Sequence, residues 1–292
     1  MRAVLAGVAM VALAGCAATS GEPLGDSVIT AKAIRDLERR SGGRLGIAVV
    51  DGGGRLVSAG RGHERFAMCS TFKLLLAGQL LERAAKGVSL RTPLAFTRAD
   101  LVSYSPGTER LLGPDGRGEQ RLGLAARDAV VLSDNTAANL ILTQIGGPSA
   151  FTAALRRAGD SVTRLDRNEP ELNENALGDE RDTTSPIAMA TSAASYVYGN
   201  RLQPEYRKQL RGWMIESQTG LKRIRAGLPQ GWIAGDKTGS CGNAYNDVAF
   251  VETPGGRKYV IAVYLDRPAV KGDAASAIIA EATRITVTDL PD

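Results

Sequence analysis

The spacing of hydrophobic residues changes along the chain and separates two strand-like ends from a helical middle. Near the start, apolar positions at helical spacing predict a helix over residues 30–40, which ends at two glycines. Strand-like runs then occur at 44–51 and 55–59, joined by a glycine turn. Towards the C-terminus, further strand-like runs predict strands at 232–237, 248–252 and 259–265. A last helix is predicted at 274–286.

The segment from Ser70 to about Gly220 follows helical spacing instead. It predicts helices at 71–86, 122–132, 136–145, 148–158, 186–198 and 204–214. Between them, residues 160–184 are charged and lack periodicity, and a loop of that length in a compact domain is usually functional. We interpret this order as an α/β (α+β type) fold. An antiparallel five-stranded sheet with flanking helices (26–66 and 215–292) would receive an inserted all-helical domain (67–214).

Residues 1–16 have the pattern of a signal peptide. Met1-Arg2 is a basic start, and residues 3–14 form an apolar stretch that is too short to span a bilayer. The stretch ends Leu13-Ala14-Gly15-Cys16, which is similar to a bacterial lipobox, where a lipid is attached to the cysteine. The alternative is ordinary cleavage near residues 14–18. We therefore expect export to the periplasm, either soluble or anchored to the membrane through Cys16.

Composition excludes several classes of function. The 292 residues carry a net charge of +5, with only 5% aromatics and no basic run interleaved with them, so nucleic-acid binding has little support. The single histidine, His63, lies in the sequence Arg61-Gly62-His63-Glu64, which is typical of an exposed loop. One histidine allows at most one Ser-His-Asp triad and no histidine-cysteine metal site, so we predict neither metal nor cofactor. If Cys16 carries lipid or is removed, the other two cysteines permit one disulfide in an oxidising compartment.

A candidate nucleophile opens the helical segment. Ser70-Thr71-Phe72-Lys73 has the form S-x-x-K, and on a helix positions i and i+3 share a face, so Lys73 would lie beside the Ser70 hydroxyl. A serine at a helix N-terminus is favourably placed for developing negative charge. The lysine can act as a base only if desolvation or a nearby cation lowers its pKa. By itself the motif is too short to carry weight.

Three further elements occur in order after it. Ser133-Asp134-Asn135 falls between two predicted helices, where it could simply be a helix cap. Lys237-Thr238-Gly239 follows a predicted strand, where it could be a turn. Glu169 and Asn173, in the irregular loop, could together hold a water molecule that Glu169 activates against an acylated Ser70. Each element has a bland structural explanation, but the combination does not.

Together these elements resemble the class A serine β-lactamases over residues 26–290. The resemblance implies two closely packed domains, with the site in the cleft between them. It implies that Ser70 is acylated, that Lys73, Glu169 or both take its proton, and that Ser133 relays a proton to the departing lactam nitrogen. It also implies that the N–H groups of Ser70 and Ser240 form the oxyanion hole and that Glu169 with Asn173 drives deacylation.

The resemblance also implies how small β-lactam substrates bind. Asn135 would bind the side-chain amide, Lys237 would supply positive charge, and Thr238 and Ser240, on either side of Gly239, would bind the carboxylate. Tyr104 matches an aromatic position at the mouth of the site. Arg167 and Asp182 match the ion pair that closes the base of the loop; taken alone, the pair would be a surface salt bridge of little value. We expect a monomer.

Two features point to the carbapenem-hydrolysing subgroup. In related enzymes the position of Cys241 is usually not cysteine, but where both this position and that of Cys69 are cysteine, as in the subgroup, the two form a disulfide. Arg223 matches an arginine that assists carboxylate binding in the same subgroup, although it could also be a solvated helix residue. Departures from the family pattern occur at Asn168 and in the stretches 113–120 and 243–247. Because all three would lie near the cleft, they affect the expected substrate range rather than the chemistry.

Two other functions share parts of this pattern. A peptidoglycan transpeptidase or carboxypeptidase has the same three short motifs, and a penicillin sensor would bind without turnover. Glu169 and Asn173 distinguish them, because without a deacylating base the acyl-enzyme persists. Their presence favours a β-lactamase.

Overall fold

The structure is a computed structural model that describes residues 28–292. The helices are α1 Val28–Ser41, α2 Phe72–Ala84, α3 Leu122–Val131, α4 Asn135–Ile145, α5 Gly147–Arg157, α6 Pro186–Val197, α7 Pro204–Ile215, α8 Ile224–Gly227 and α9 Asp273–Val287. The strands are β1 Arg44–Asp51, β2 Leu56–Gly60, β3 Phe66–Ala67, β4 Pro93–Thr97, β5 Arg117–Arg121, β6 Thr183–Thr184, β7 Ile233–Cys241, β8 Ala244–Glu252 and β9 Lys258–Asp266.

A five-stranded antiparallel sheet, in the order β2-β1-β9-β8-β7, joins strands from both ends of the chain. Alternate residues of β1 enter different cores because successive side chains point to opposite faces. Ile47 and Val49 pack with Ile279 of α9, whereas Ala48 and Val50 belong to the core shared with the helical layer. The mixed fold with an antiparallel sheet and inserted helices is confirmed. The exact boundaries of the two predicted domains stay a prediction.

Helix α2 is the centre of the helical layer. Almost all of its residues are buried, including apolar positions on every side, as expected of a helix enclosed by others. A side chain at Gly78 would place its Cβ 2.7 Å from the ring of Tyr196, so glycine allows α6 to approach closely. This packing fixes the N-terminal end of α2, where Ser70 lies.

The hairpin formed by β4 and β5 lies within the stretch that the sequence predicts to be helical. Leu94 and Phe96 alternate with exposed residues on β4, but β5 is polar and gives no apolar signal. Gly118 accommodates the Phe96 ring, since a Cβ there would lie 2.3 Å from it. The unusual stretch at residues 113–120 is therefore largely the turn and second strand of a hairpin.

Strands β7 and β8 are both longer than the sequence predicts. They continue to a tight turn at Gly242-Asn243, so that Ser240 and Cys241 are strand residues. The prediction was short because Asn246 and Asp247 interrupt the apolar pattern of β8, although both are buried.

None of the helices between residues 28 and 292 combines the length and apolar character that a membrane span requires. The predicted signal peptide and the lipidation candidate Cys16 lie outside the described residues.

Candidate active site

Ser70 lies at the entrance to α2. It belongs to a single 3₁₀ turn, Cys69–Thr71, that runs directly into the helix. Cys69 adopts a φ of +46°, in the left-handed region that non-glycine residues rarely occupy and that is common at functional sites. The helix dipole and the free N–H groups of the first turn favour negative charge at this end of α2.

Lys73 is the hub of the site. Its Nζ lies 3.0 Å from Ser70 Oγ, 2.9 Å from the Ser133 carbonyl oxygen and 2.9 Å from Glu169 Oε1. It also donates a hydrogen bond to Asn135 Oδ1. The side chains of Lys73 and Glu169 are fully buried. Burial lowers the pKa of Lys73, and the negative charge of Glu169 only partly opposes that effect. The lysine is therefore the base candidate closest to the nucleophile.

Glu169 reaches Lys73 from the acidic loop, residues 160–184. Asn139 of α4 bonds both backbone groups of Glu169: its Nδ2 donates to the carbonyl at 2.8 Å, and its Oδ1 accepts from the N–H at 2.9 Å. Asn173 Nδ2 donates to Glu169 Oε2 at 2.5 Å. The carboxylate is thus held between an ammonium and an amide, and Glu169 and Asn173 lie together as the sequence predicts.

The base of the acidic loop is closed by a buried ion pair. Arg167 Nε lies 2.6 Å from Asp182 Oδ2, and only 1% of the Asp182 side chain is exposed. Asp182 Oδ1 also accepts the backbone N–H groups of Asp166 and Arg167 at 2.7 and 3.0 Å. The surface position that the sequence alone indicates for this pair is wrong, because the loop folds back over the carboxylate.

Asp134 organises the motif around Ser133. Its carboxylate caps α4 and accepts backbone N–H bonds from Gly107 and Thr108, each at 2.8 Å. Ser133 itself has a φ of +61°. With Asp134 buried in this way, Ser133 and Asn135 on either side of it are directed to the lysines of the site.

Lys237 contributes the second buried ammonium. Its Nζ donates to Ser133 Oγ at 3.0 Å and to the Thr238 carbonyl at 2.7 Å. Burial and, after it, the positive charge of Lys73 together lower the pKa of Lys237 to about 7. Its charge therefore changes in the neutral pH range.

Arg223 supports the end of β7 from behind. Its guanidinium donates to Ser240 Oγ at 2.6 Å, to the Gly239 carbonyl at 3.0 Å and to the Asn246 carbonyl at 2.6 Å. The side chain is buried, and burial lowers the pKa of this arginine, so it is not the solvated helix residue considered as an alternative. At Gly239 a Cβ would lie 2.6 Å from the Met68 carbonyl oxygen, so only glycine allows the strand to approach the nucleophile's turn.

The predicted disulfide between Cys69 and Cys241 is confirmed, with Cα atoms 5.6 Å apart. It joins the turn of Ser70 to the end of β7. Tyr104 lies at the surface with 61% of the residue exposed, and its carbonyl accepts the Asn135 N–H at 3.0 Å. Its side chain therefore stands beside the buried polar groups rather than among them.

Sequence reasoning missed two residues that organise the site. Asn139 holds the backbone of Glu169, and its signal was its position four residues after Asn135, on the same face of a helix. Thr219 Oγ1 lies 2.7 Å from Thr238 Oγ1, and nothing in the sequence around Thr219 marks it.

Within residues 28–292, no cluster of histidine, cysteine, aspartate or glutamate has the arrangement of a metal site. His63 is exposed, as its sequence context predicts.

Comparison with known proteins agrees with this geometry. The Beta-lactamase enzyme family matches residues 29–290. Beta-lactamase AST-1 of Nocardia asteroides is 41% identical, over 99% of this chain and 94% of that protein. Beta-lactamase L2 of Stenotrophomonas maltophilia is 42% identical, over 89% of this chain and 86% of that protein. A solved ancestral class A β-lactamase (GNCA) is 48% identical with a TM-score of 0.85, covering 89% of this chain and all of that one. From its sequence, its fold and the arrangement around Ser70, this chain belongs to the class A β-lactamases, hydrolases that act on cyclic amides and confer antibiotic resistance.

Proposed function

We propose that this enzyme opens the β-lactam ring through an acyl-enzyme on Ser70. The observation that carries the proposal is the position of Lys73 Nζ, 3.0 Å from Ser70 Oγ and 2.9 Å from Glu169 Oε1. A lysine between the hydroxyl and the carboxylate connects the nucleophile to a base in both half-reactions.

Acylation begins with the proton of Ser70. Of the four oxygens around Lys73 Nζ, Ser70 Oγ is the one that carries a hydrogen it can donate, because the others belong to a carbonyl, an amide and a carboxylate. The neutral amine, which burial favours, offers a lone pair that takes the Ser70 proton directly or passes it to Glu169. Ser70 Oγ then bonds to the lactam carbonyl carbon, and the N–H groups of Ser70 and Ser240 stabilise the oxyanion.

Ring opening needs a proton at the departing nitrogen. Ser133 Oγ supplies it as the carbon–nitrogen bond breaks, and a neighbouring lysine ammonium returns a proton to the serine. Lys237 Nζ, 3.0 Å from Ser133 Oγ, supports this relay. The outcome is a Ser70 ester with the ring open.

Hydrolysis of the ester falls to Glu169 and Asn173. Asn173 Nδ2 lies 2.5 Å from Glu169 Oε2, so the two side chains together can bind a water molecule on the side that faces the acyl group. Glu169 takes a proton from that water as the water oxygen bonds to the acyl carbon. The bond between that carbon and Ser70 Oγ then breaks, and the proton held by Glu169 returns to Ser70 through Lys73. The same pair separates a hydrolase from a transpeptidase or a sensor, in which the ester persists.

Substrate contacts follow the same assignment. The carboxylate is bound by Lys237, Thr238 and Ser240, with Arg223 orienting Ser240 from behind. Gly239 keeps this strand close to the turn of Ser70. Asn135 binds the side-chain amide, and Tyr104 borders the entrance.

Penicillins and cephalosporins are the proposed substrates, and the disulfide with the buried Arg223 supports carbapenem hydrolysis in addition. Steady-state hydrolysis of imipenem tests that extension, and binding without turnover would refute it. The exposed Asn168 and the short β7–β8 turn are the positions expected to modify the range.

The location is proposed from the N-terminus, which lies outside the described residues. We place the mature enzyme in the periplasm as a monomer, soluble or anchored through lipid on Cys16. Metabolic labelling with a fatty-acid analogue distinguishes the two, since a lipoprotein loses the label in Cys16→Ala. Size-exclusion chromatography with light scattering tests the monomer.

Replacement of the deacylating base tests the mechanism. In Glu169→Ala we expect benzylpenicillin turnover to fall by roughly 10²–10⁴-fold, the usual contribution of a general base, while Ser70 is still acylated. Mass spectrometry would then detect a long-lived adduct of the intact substrate mass. Glu171→Ala, an exposed glutamate of the same loop, is the matched control and should turn over normally. Wild-type turnover by Glu169→Ala would refute the assigned role, and a single stoichiometric burst from the wild type would favour a sensor.

A further inference from the structure

Asn246, on strand β8, contacts the backbone that leads into the nucleophile's turn. Its Nδ2 lies 2.8 Å from the Ala67 carbonyl oxygen and 3.2 Å from the Met68 carbonyl oxygen. Only 1% of Asn246 is exposed, so these bonds form without competing solvent. Both carbonyls belong to residues just before Ser70.

The Met68 carbonyl also closes the turn itself. It accepts the Thr71 N–H at 3.2 Å and the Thr71 hydroxyl at 2.8 Å. Gly239 lies against it on β7. The position of this one carbonyl is therefore linked to the direction of the Ser70 backbone N–H and to the distance between turn and strand.

The backbone carbonyl of Asn246 makes a contact in a different part of the site. It accepts a hydrogen bond from Arg223 Nη1 at 2.6 Å, and the same guanidinium binds Ser240. Asn246 pairs with Gly239 across the strands β7 and β8. Asn246 thus contacts the turn of Ser70 through its side chain, and through its backbone it contacts Arg223, which binds Ser240 at the carboxylate-binding end of β7.

We propose that Asn246 is a positioning residue that, together with the Cys69–Cys241 disulfide, holds the turn of Ser70 in register with the carboxylate-binding end of β7. The two connections lie side by side, since Asn246 Nδ2 is 3.7 Å from Cys69 Sγ. Either one limits movement of the turn, and loss of both frees it. The inference rests on the proposed acyl-enzyme function.

The test is a double-mutant cycle of Asn246→Ala with Cys241→Ala, which leaves the sequence of the turn unchanged. The readout is the acylation rate constant with benzylpenicillin, measured by stopped flow on active-site-titrated protein. We expect each single variant to acylate no more than about threefold more slowly. The double variant should acylate roughly 100-fold more slowly, well over the product of the two single effects, because misplacement by about 1 Å costs roughly 100-fold. Thermal unfolding is recorded in parallel.

Phe250→Leu is the control for a purely structural effect, because Phe250 is fully buried on β8, four residues along the strand from Asn246. It should lower the unfolding temperature and leave acylation unchanged. If Asn246→Ala does not fold, Asn246→Ser keeps a polar group that is too short to reach both carbonyls. The proposal would be overturned if Asn246→Ala acylated as fast as its parent protein both with the disulfide and in Cys241→Ala. It would also be overturned if the losses of the two single variants merely multiplied in the double variant. A wild-type protein that benzylpenicillin does not acylate would instead refute the acyl-enzyme function.

Discussion

Removing the Cys69–Cys241 bond by Cys241→Ala should destabilise the protein by an amount that follows from its place in the chain. The bond joins residues separated by 172 positions. In the chain-entropy model a closed loop of that length is worth about 5 kcal/mol, whereas measured disulfides are commonly worth about 2–4 kcal/mol. The Cα atoms are 5.6 Å apart, which is usual for disulfides, so the backbone needs no rearrangement to make the bond.

These energies convert into a shift of the unfolding temperature. Residues 28–292 number 265. At about 2.1 cal/mol/K for each residue, their unfolding entropy is roughly 0.6 kcal/mol/K, so a loss of about 2–5 kcal/mol corresponds to a fall of roughly 4–9 °C.

Circular dichroism melts of the wild type and of Cys241→Ala, each with and without a reductant, would measure the shift. The reductant should lower the melting temperature of the wild type and leave that of the variant unchanged. Mass spectrometry of the unreduced protein checks the bond directly. Two free thiols, or a melting temperature that differs by less than about 1 °C, would refute the reasoning.

Two further predictions concern charge at the site. Because the pKa of Lys237 is about 7, its ammonium is lost as the pH rises, and kcat/KM for benzylpenicillin should fall by up to about tenfold for each pH unit above that value. The variant Lys237→Arg stays charged and should not show this decrease. A wild-type kcat/KM that stays constant from pH 6 to about 9 would contradict the assignment. Arg167→Ala leaves the buried Asp182 carboxylate without its partner and should cost about 3–5 kcal/mol in urea unfolding. The control Arg164→Ala breaks an exposed pair with Asp166 and should cost at most about 1 kcal/mol. Equal losses would show that the Arg167–Asp182 pair contributes no more to stability than an exposed pair does.

The order of elements was predictable because strands and helices impose different apolar periods. The short apolar runs of β1 and β9 and the helical spacing of α2 to α7 were sufficient to predict an antiparallel sheet from both ends of the chain and an inserted helical layer. The prediction failed where burial did not produce an apolar pattern. Strand β5 pairs through its backbone with few buried side chains, and β8 buries Asn246 and Asp247.

The candidate site shows the same division. Ser70 and Lys73 lie together because three residues make about one helical turn, which is a local property of the sequence. The approach of Glu169 to Lys73 depends instead on Asn139, on the Arg167–Asp182 pair and on the path of the acidic loop. The spacing of Glu169 and Asn173 suggested a shared water molecule, but nothing local to the loop places that pair beside Lys73.

By itself, then, the sequence determined the chemical groups and their local spacing: the nucleophile with its lysine, the serine motif, the strand motif and two cysteines that could pair. Tertiary structure decided the burial of these groups and the contacts between them. It lowers the pKa of both lysines, makes the Arg167–Asp182 pair internal and gives Asn246 two carbonyl partners just before Ser70. The physical reason is that desolvation and hydrogen bonding at the site come from segments far apart in the chain, and only the packed fold brings them within bonding distance.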